Sequence, residues 1–320
     1  MTTLSERAAK HRSLWINDRG IVPVIVILFI ALTLFAPNFF STANFLNILD
    51  QNAPLMLVAM GTTFVIIAGG FDLSSGQILS LCGVLGAKFA LVFQNPLLGV
   101  VLAILVGIPV GMVNGLLVGR LRVNSFLATL ATGFVMGGLA LAVTQGFSLD
   151  LSSSANFGLL GAGRVGSIPN SVILCVVAFA VLGVVLARTV FGRHVLAVGS
   201  NPESARLSGV PVERIRVAVF SIGGLLAAMG GLVVVTRTGV GNVYGSANSI
   251  TLSAIAAVVI GGTSIRGGRG AIWRTVLGVL LLALLQNAFN LMSIQPYWQQ
   301  IVSGLIILGA VILNTKSSRE

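Results

Sequence analysis

GRHVLAVGSNPESARLSGVPVERIR, residues 192–216, holds four arginines, one histidine and two glutamates, Glu203 and Glu213. It lies between two almost purely apolar segments, Ser171–Ala187 and Val217–Val235. A charged run with a membrane-length apolar run on each side reads as a loop between two spans. Within it, Asn201-Pro202-Glu203 has the form of a helix start, with Pro202 at the first helical position and Glu203 on the positive end of the dipole. Gly209 and Pro211 stop that helix after about two turns. So short and charged a helix has little apolar surface to bury against its own chain, and its docking partner is expected to be another protein.

Composition agrees with a membrane location. Of 320 residues 56% are hydrophobic and 8% charged, against about 25% charged in soluble domains. Several apolar runs approach the roughly 20 residues that cross a ~30 Å hydrocarbon core. A β-barrel would instead show short alternating segments. The fold class is therefore all-α and polytopic. The net charge of +11 forms no continuous patch and sits in short loops, which excludes a nucleic-acid surface and fits topological charge. Cys82 and Cys175 are isolated within apolar segments and read as packing residues.

Working outward, residues 1–20 are polar and basic and precede an uncleaved first span, Ile21–Ala36. Residues 37–50 read as a polar, aromatic interfacial loop. A second span, Gln51–Ala68, ends in Gly69-Gly70-Phe71-Asp72-Leu73-Ser74-Ser75-Gly76, and a third runs to Phe93 before Asn95-Pro96. The fourth, Leu97–Val118, repeats Gly107, Gly111, Gly115 and Gly119 every four residues. Such a bare face suits close helix packing, or else a pathway lining. The fifth, Asn124–Thr144, places Ser125, Thr129 and Thr132 in one hydroxyl stripe. A Gly- and Ser-rich loop, 145–169, leads to the sixth, Asn170–Ala187. Its Gly161–Gly166 run has the GxGxxG spacing but no preceding strand, so it is not a dinucleotide site. The seventh span is Val217–Thr236, with Gly223, Ala227 and Gly231 on one face. Asn248-Ser249 is expected to cap a short eighth segment, Thr251–Gly262, too short to cross alone and so a broken helix held within protein. The loop Gly262–Gly270 precedes a ninth span, Ala271–Asn290, and a tenth follows over Tyr297–Leu313. With ten crossings and both termini inside, 16 of the 19 basic residues fall on the inner side and only Lys88, Arg164 and Arg237 elsewhere; that asymmetry sets the orientation.

Little of this chain suits catalysis. No GxxxxGK[ST] occurs, so the chain has no phosphate loop of its own. His11 and His194 have no carboxylate cluster or HExxH beside them. Asp72, the one acid at a helix break within the membrane region, reads either as a cap for the third span or, with Ser74, as a gate or pathway contact. The hydroxyls of Ser125, Thr129 and Thr132 either bond back to their own helix or line a polar pathway. Asn287 and Asn290, near the outer end of the ninth span, suit a hydroxyl-rich solute or interhelical hydrogen bonds. The spans offer hydroxyls, amides and glycine backbone without the buried cationic cluster an anionic solute would need. A small neutral polyol is the solute they suit.

Taken together and in order, GGFDLSSG (69–76), NSFLATL (124–130), GRHVLAVGSNPESARLSGV (192–210) and AIAAVVIGGTSIRGGRG (254–270) resemble the permease subunits of bacterial ABC sugar importers of the ribose, xylose and arabinose group. The resemblance runs from PNFF at 37 to the last span. It implies a multi-pass protein of the bacterial inner membrane with about ten helices: a cytoplasmic tail 1–20, one permease domain 21–314, and a tail 315–320. The loop 188–216 would carry a cytoplasmic coupling helix, mapping to Pro202, Glu203, Ala205, Arg206, Leu207 and Gly209. Also implied are a second permease subunit, expected to be an identical chain, and a periplasmic sugar-binding protein. Two cytoplasmic ATPases, or one of double length, would hydrolyse ATP, so this chain is no enzyme and binds no cofactor; its other neighbour is membrane lipid. A permease for a nucleoside or branched-chain amino acid, an ion-coupled secondary transporter and an assembly protein are the alternatives. The scarcity of ionisable residues within the spans weighs against the ion-coupled one.

Overall fold

The computed structural model describes residues 21–151, 162–243 and 247–295, and beyond them 297–302, 304–305 and 308–309. The two tails and much of the expected tenth span lie outside these residues, although 297–302 is helical. Before that last stretch, twelve helices run in order among the described residues: α1 (Ile21–Phe35), α2 (Thr42–Gln51), α3 (Ala53–Ile67), α4 (Ser75–Phe93), α5 (Pro96–Gly119), α6 (Ser125–Thr144), α7 (Asn170–Arg188), α8 (Val190–Ser200), α9 (Pro202–Leu207), α10 (Val212–Thr238), α11 (Ala247–Ile260) and α12 (Ile272–Leu291). Two antiparallel ladders join β1 (Leu149–Asp150) to β4 (Val240–Gly241) and β2 (Arg164–Val165) to β3 (Ile168–Pro169). Six helices, α4, α5, α6, α7, α10 and α12, are long and apolar enough to cross a membrane, and α1, α3 and α11 are shorter apolar helices. The protein is a polytopic helical membrane protein.

Burial explains the arrangement. α3 is apolar on every side and buried at 14 of its 15 positions, which puts it at the centre of the bundle. α10, α11 and α12 pack against it. By contrast α5, α6 and α7 expose large apolar side chains such as Leu105, Phe134 and Val176 on their outer faces, surface that only lipid or another apolar chain can cover.

The four-residue glycine repeat is a packing seam. Gly107, Gly111, Gly115 and Gly119 are buried, and each faces α10 in antiparallel register. A methyl group at Gly107 would come within 2.6 Å of Ala228 Cβ, and one at Gly115 within 2.5 Å of Val217 Cα. α10 answers with two small-residue faces, not the single one expected. Gly223 and Gly231 meet α3 and α4, while Gly224 and Ala228 meet α5. Backbones this close gain dispersion contacts without any hydrophobic drive between helices.

Four expectations change. Residues 42–51 form α2 in place of a loop. Ser41 Oγ caps it by accepting from Asn44 N at 3.2 Å, and Phe39 and Ile48 pack with Leu32 of α1 and Leu284 of α12. Its polar residues do not break the helix. The second change is α8, which continues the chain directly after α7. The third is that α10 begins at Val212, bringing Glu213, Arg214 and Arg216 onto the helix. The fourth is that α11 starts at Ala247, so Asn248 and Ser249 belong to its first turn and not to a cap. Asn248 Oδ1 instead accepts from Gln77 Nε2 at 3.0 Å. At 14 residues, α11 rises about 21 Å.

Candidate coupling and translocation site

Between α3 and α4 the chain leaves helix at Ala68 and turns at Gly69, whose φ of 79° favours glycine. It then runs as non-helical chain to Ser74, bending at Leu73 and Ser74. Non-helical backbone inside a membrane protein needs partners for its N–H groups, and the hydroxyl stripe of α6 supplies them. Phe71 N donates to Ser125 Oγ at 3.1 Å and Leu73 N to Thr129 Oγ1 at 3.0 Å. Phe71 and Leu73, two residues apart, thus meet hydroxyls one helical turn apart on α6. Thr129 also bonds back to Ser125 O at 2.7 Å, the bond to its own helix that the sequence offered as one alternative.

Thr132 reaches the same segment indirectly. Its Oγ1 donates to Asn114 Oδ1 at 2.7 Å, Asn114 Nδ2 donates to Ser74 Oγ at 2.8 Å, and Ser74 Oγ donates to Asp72 Oδ1 at 2.5 Å. Every donor in this chain points toward the carboxylate. Asp72 Oδ1 also accepts from Ser74 N at 2.8 Å. Asp72, Ser74, Asn114 and Thr129 are all buried. Gly76 N, in the first turn of α4, donates to Thr251 Oγ1 of α11 at 2.9 Å. Asp72 and Thr251 together cap the start of α4 from two directions. Asn114 was not legible as a site residue, since nothing in its apolar surroundings marks it beyond being the one amide in α5.

Replacing Asp72 separates its two readings. Asp72→Asn keeps an acceptor for Ser74, while Asp72→Ala leaves buried donors unpaired and is expected to destabilise the protein by about 1–3 kcal/mol. Thermal unfolding of purified protein checks this. Unchanged stability of Asp72→Ala together with altered uptake would instead mark a gate.

Asn287 and Asn290 lie elsewhere. Asn287 exchanges two hydrogen bonds with Asn44 of α2, at 3.1 and 2.8 Å. Asn290 Oδ1 accepts from Gln299 Nε2 at 3.2 Å. Both belong to the end of the bundle where Arg237 Nη1 donates to Asp50 O at 3.1 Å and Ser171 Oγ donates to the Asp50 carboxylate. They tie helices together and do not join the hydroxyl stripe.

At the opposite end stands α9. Asn201 Oδ1 caps it by accepting from Glu203 N and Ser204 N at 3.0 and 2.9 Å. Its close is a Schellman turn: Gly209 N donates to Arg206 O at 2.9 Å and Val210 N to Ala205 O at 3.0 Å, with Gly209 at φ 82°. Six residues are helical, slightly fewer than the spacing of Pro202 and Gly209 suggests. Ala205 is buried at 5%, whereas Leu207 is 82% exposed. Glu203 and Arg206 form no ion pair among the described residues. An apolar tip projecting into solvent is what a docking helix presents.

A glycine junction links α9 to the non-helical 70–74 segment. Gly268 N donates to Ile67 O at 2.8 Å. A methyl group at Gly199, in the last turn of α8, would fall on Ile67 O and lie 2.6 Å from Gly268 N; one at Gly267 would come within 3.0 Å of Gly69 Cα. Three backbones therefore touch where α3 ends, α8 ends and the 262–270 loop turns. Gly267 and Gly268 hold φ of 85° and 73°, which accounts for the paired glycines of SIRGGRG.

Among the described residues no group of three or more His, Cys, Asp or Glu side chains is placed to hold a metal ion. A family model described as "Branched-chain amino acid transport system / permease component" matches residues 44–311. The chain is 40% identical over 295 residues to the ribose import permease protein RbsC of Bacillus subtilis (strain 168), covering 92% of this chain and 91% of that one. It is 35% identical to RbsC of Escherichia coli (strain K12) over 317 residues, 98% of each chain. With the L-arabinose transport system permease protein AraH of Escherichia coli (strain K12) it shares 36% identity over 301 residues, covering 93% and 90%. No solved structure matches.

Proposed function

Since the chain belongs to the family of branched-chain amino acid transport system permease components, we propose that it is the membrane subunit of an ATP-binding-cassette importer. It forms the path for a small neutral sugar, delivered by a periplasmic binding protein and driven by separate ATPase subunits. The observation that carries the sugar is the match to permeases named for ribose and L-arabinose over nine-tenths or more of both chains. The composition of the spans supports it, since they carry hydroxyls, amides and glycine backbone and few charges, which suits a neutral solute. Selection by a binding protein leaves the membrane path free to hold the solute weakly, as release requires.

The chain crosses the inner membrane ten times, with both termini in the cytoplasm. The 16 to 3 division of basic residues supports this. So does the meeting of Ile67, Gly199 and Gly268 at the arginine-rich end, while Leu149 and Gly241 pair at the other. Two copies assemble through the exposed apolar faces, and the ATPase docks on α9 at Leu207. Displacement of α9 passes through the glycine junction to Gly69 and the non-helical 70–74 segment, which the stripe of α6 grips. That linkage moves α4 and α6 together, and it is the coupling route of the transport cycle.

Substrate class is tested in cells without other uptake routes, supplied with the matching ATPase and binding protein. Labelled free ribose or another monosaccharide is expected to accumulate, and leucine and phosphorylated sugars are not. Accumulation of leucine in place of free sugars would overturn the sugar reading. For topology, single cysteines at Ser204 and Ser318 are expected to react only from the cytoplasm, and one at Ser153 only from outside. Labelling of position 204 from outside would contradict the ten-span arrangement.

A further inference from the structure

A cavity of about 410 Å³ opens at the arginine-rich end, between α9, the start of α10, the α5–α6 turn and the Gly69-Gly70 corner. The transport reading leaves it without a role. Arg122, Arg206 and Arg216 line it, with Glu203 as the one carboxylate. Arg216 is half-buried and feels the like charges of Arg206 and Arg122. None of the three arginines has an ion-pair partner among the described residues. Positive-inside bias explains arginines at this end of the molecule; it does not explain why three converge on one hollow.

The other polar groups are donors too. Asn124 Oδ1 is taken by Phe126 N and Leu127 N at 2.9 and 3.4 Å, which leaves the amide NH₂ to donate. Ser125 Oγ accepts from Phe71 N and keeps its own proton to give. Gly69 and Gly70 hold no side chain in the way. A hollow rich in donors, with an excess of two positive charges over Glu203, is complementary to a compact dianion. Guanidinium groups bind phosphate oxygens through paired, charge-assisted hydrogen bonds.

We propose that this cavity binds a phosphate-type anion, either a free phosphate or phosphate ester of the cytoplasm or the headgroup of an anionic lipid. The bound anion bridges α9, α10 and the α5–α6 turn, so its occupancy biases the position of the coupling helix. By linkage it shifts transport only as far as it prefers one position of that helix over another.

The test measures binding of radiolabelled inorganic phosphate to the full-length protein in phosphatidylcholine nanodiscs, a readout independent of transport. Saturable binding at millimolar phosphate is expected. Arg216→Gln is expected to weaken it tenfold or more, as loss of a charge-assisted contact does, and Arg164→Gln at the far end to leave it unchanged. Should Arg216→Gln not yield a monodisperse protein, Arg122→Gln, which is more exposed, carries the same expectation. A second arm uses discs containing phosphatidylglycerol. Exclusion of phosphate there, with phosphatidylglycerol retained through purification by the parent and lost from the Arg122→Gln variant, assigns the site to the headgroup. Equal phosphate binding in both disc types assigns it to a free anion. Absence of saturable binding in the first arm together with no selective lipid retention in the second overturns the proposal, as does binding that survives both arginine replacements.

Discussion

Replacing Leu207 by glutamate is expected to lower ATP-driven uptake by about 30-fold or more while leaving the protein folded in the membrane. A single apolar anchor at the centre of a docking surface commonly carries about 2 kcal/mol or more of binding, and that is roughly a 30-fold change in an equilibrium constant. Leu207 is 82% exposed and makes no packing contribution that its loss would remove. ATP hydrolysis by the partner should continue, uncoupled from transport. The measurement is uptake and ATP hydrolysis in the same reconstituted preparation. Ala205, three helical positions from Pro202, is not an equivalent target. It is buried against the body of the protein, and a charge there would disturb the helix itself.

The second large effect concerns Gly199. Gly199→Val is expected to abolish uptake, because its side chain would occupy the space of Ile67 O and of Gly268 N. Overpacking between backbones cannot be relieved by a rotamer change and costs typically 1–3 kcal/mol, at times more. The junction must open for a larger residue to fit, which detaches the non-helical 70–74 segment from α8 and α9. Gly183→Val on α7, where a methyl group meets nothing within 4 Å, serves as the comparison and should transport normally. Normal uptake by Gly199→Val would show that the junction does not transmit the motion of the coupling helix.

Much of this arrangement was legible in the residues because membrane spans obey few rules. Apolar length located α1, α3, α4, α5, α6, α7 and α12 to within a few residues. Asn201, Pro202 and Gly209 marked both ends of α9 through capping chemistry that acts locally. The Gly107–Gly119 repeat announced a close helix contact, although not which helix would fill it. Elements at the membrane edge were harder to see. α2 and α8 mix polar and apolar residues, and a scan for long apolar runs passes over them. The signal in α8 was present nonetheless, in Phe191, Val195 and Val198 at helical spacing below a Thr189 cap.

Least legible was the partnership between the Ser125, Thr129 and Thr132 stripe and the non-helical segment that starts at Gly70. The two lie some 55 residues apart in sequence, bonded at separations of 54 and 56, and neither periodicity nor propensity reports a long-range pairing. The same holds for Asn114, whose amide matters only because Thr132 and Ser74 flank it in space. Three arginines from three segments meeting at one cavity is likewise a fact of tertiary structure.

Transport by purified components tests the central claim most directly. The protein is reconstituted in vesicles with its ATPase and binding protein, and uptake of labelled free ribose is followed with ATP supplied on the ATPase side. Accumulation is predicted to require ATP and the ATPase subunit together and to be indifferent to proton and sodium gradients. Accumulation driven by an ion gradient in vesicles lacking the ATPase would contradict the account.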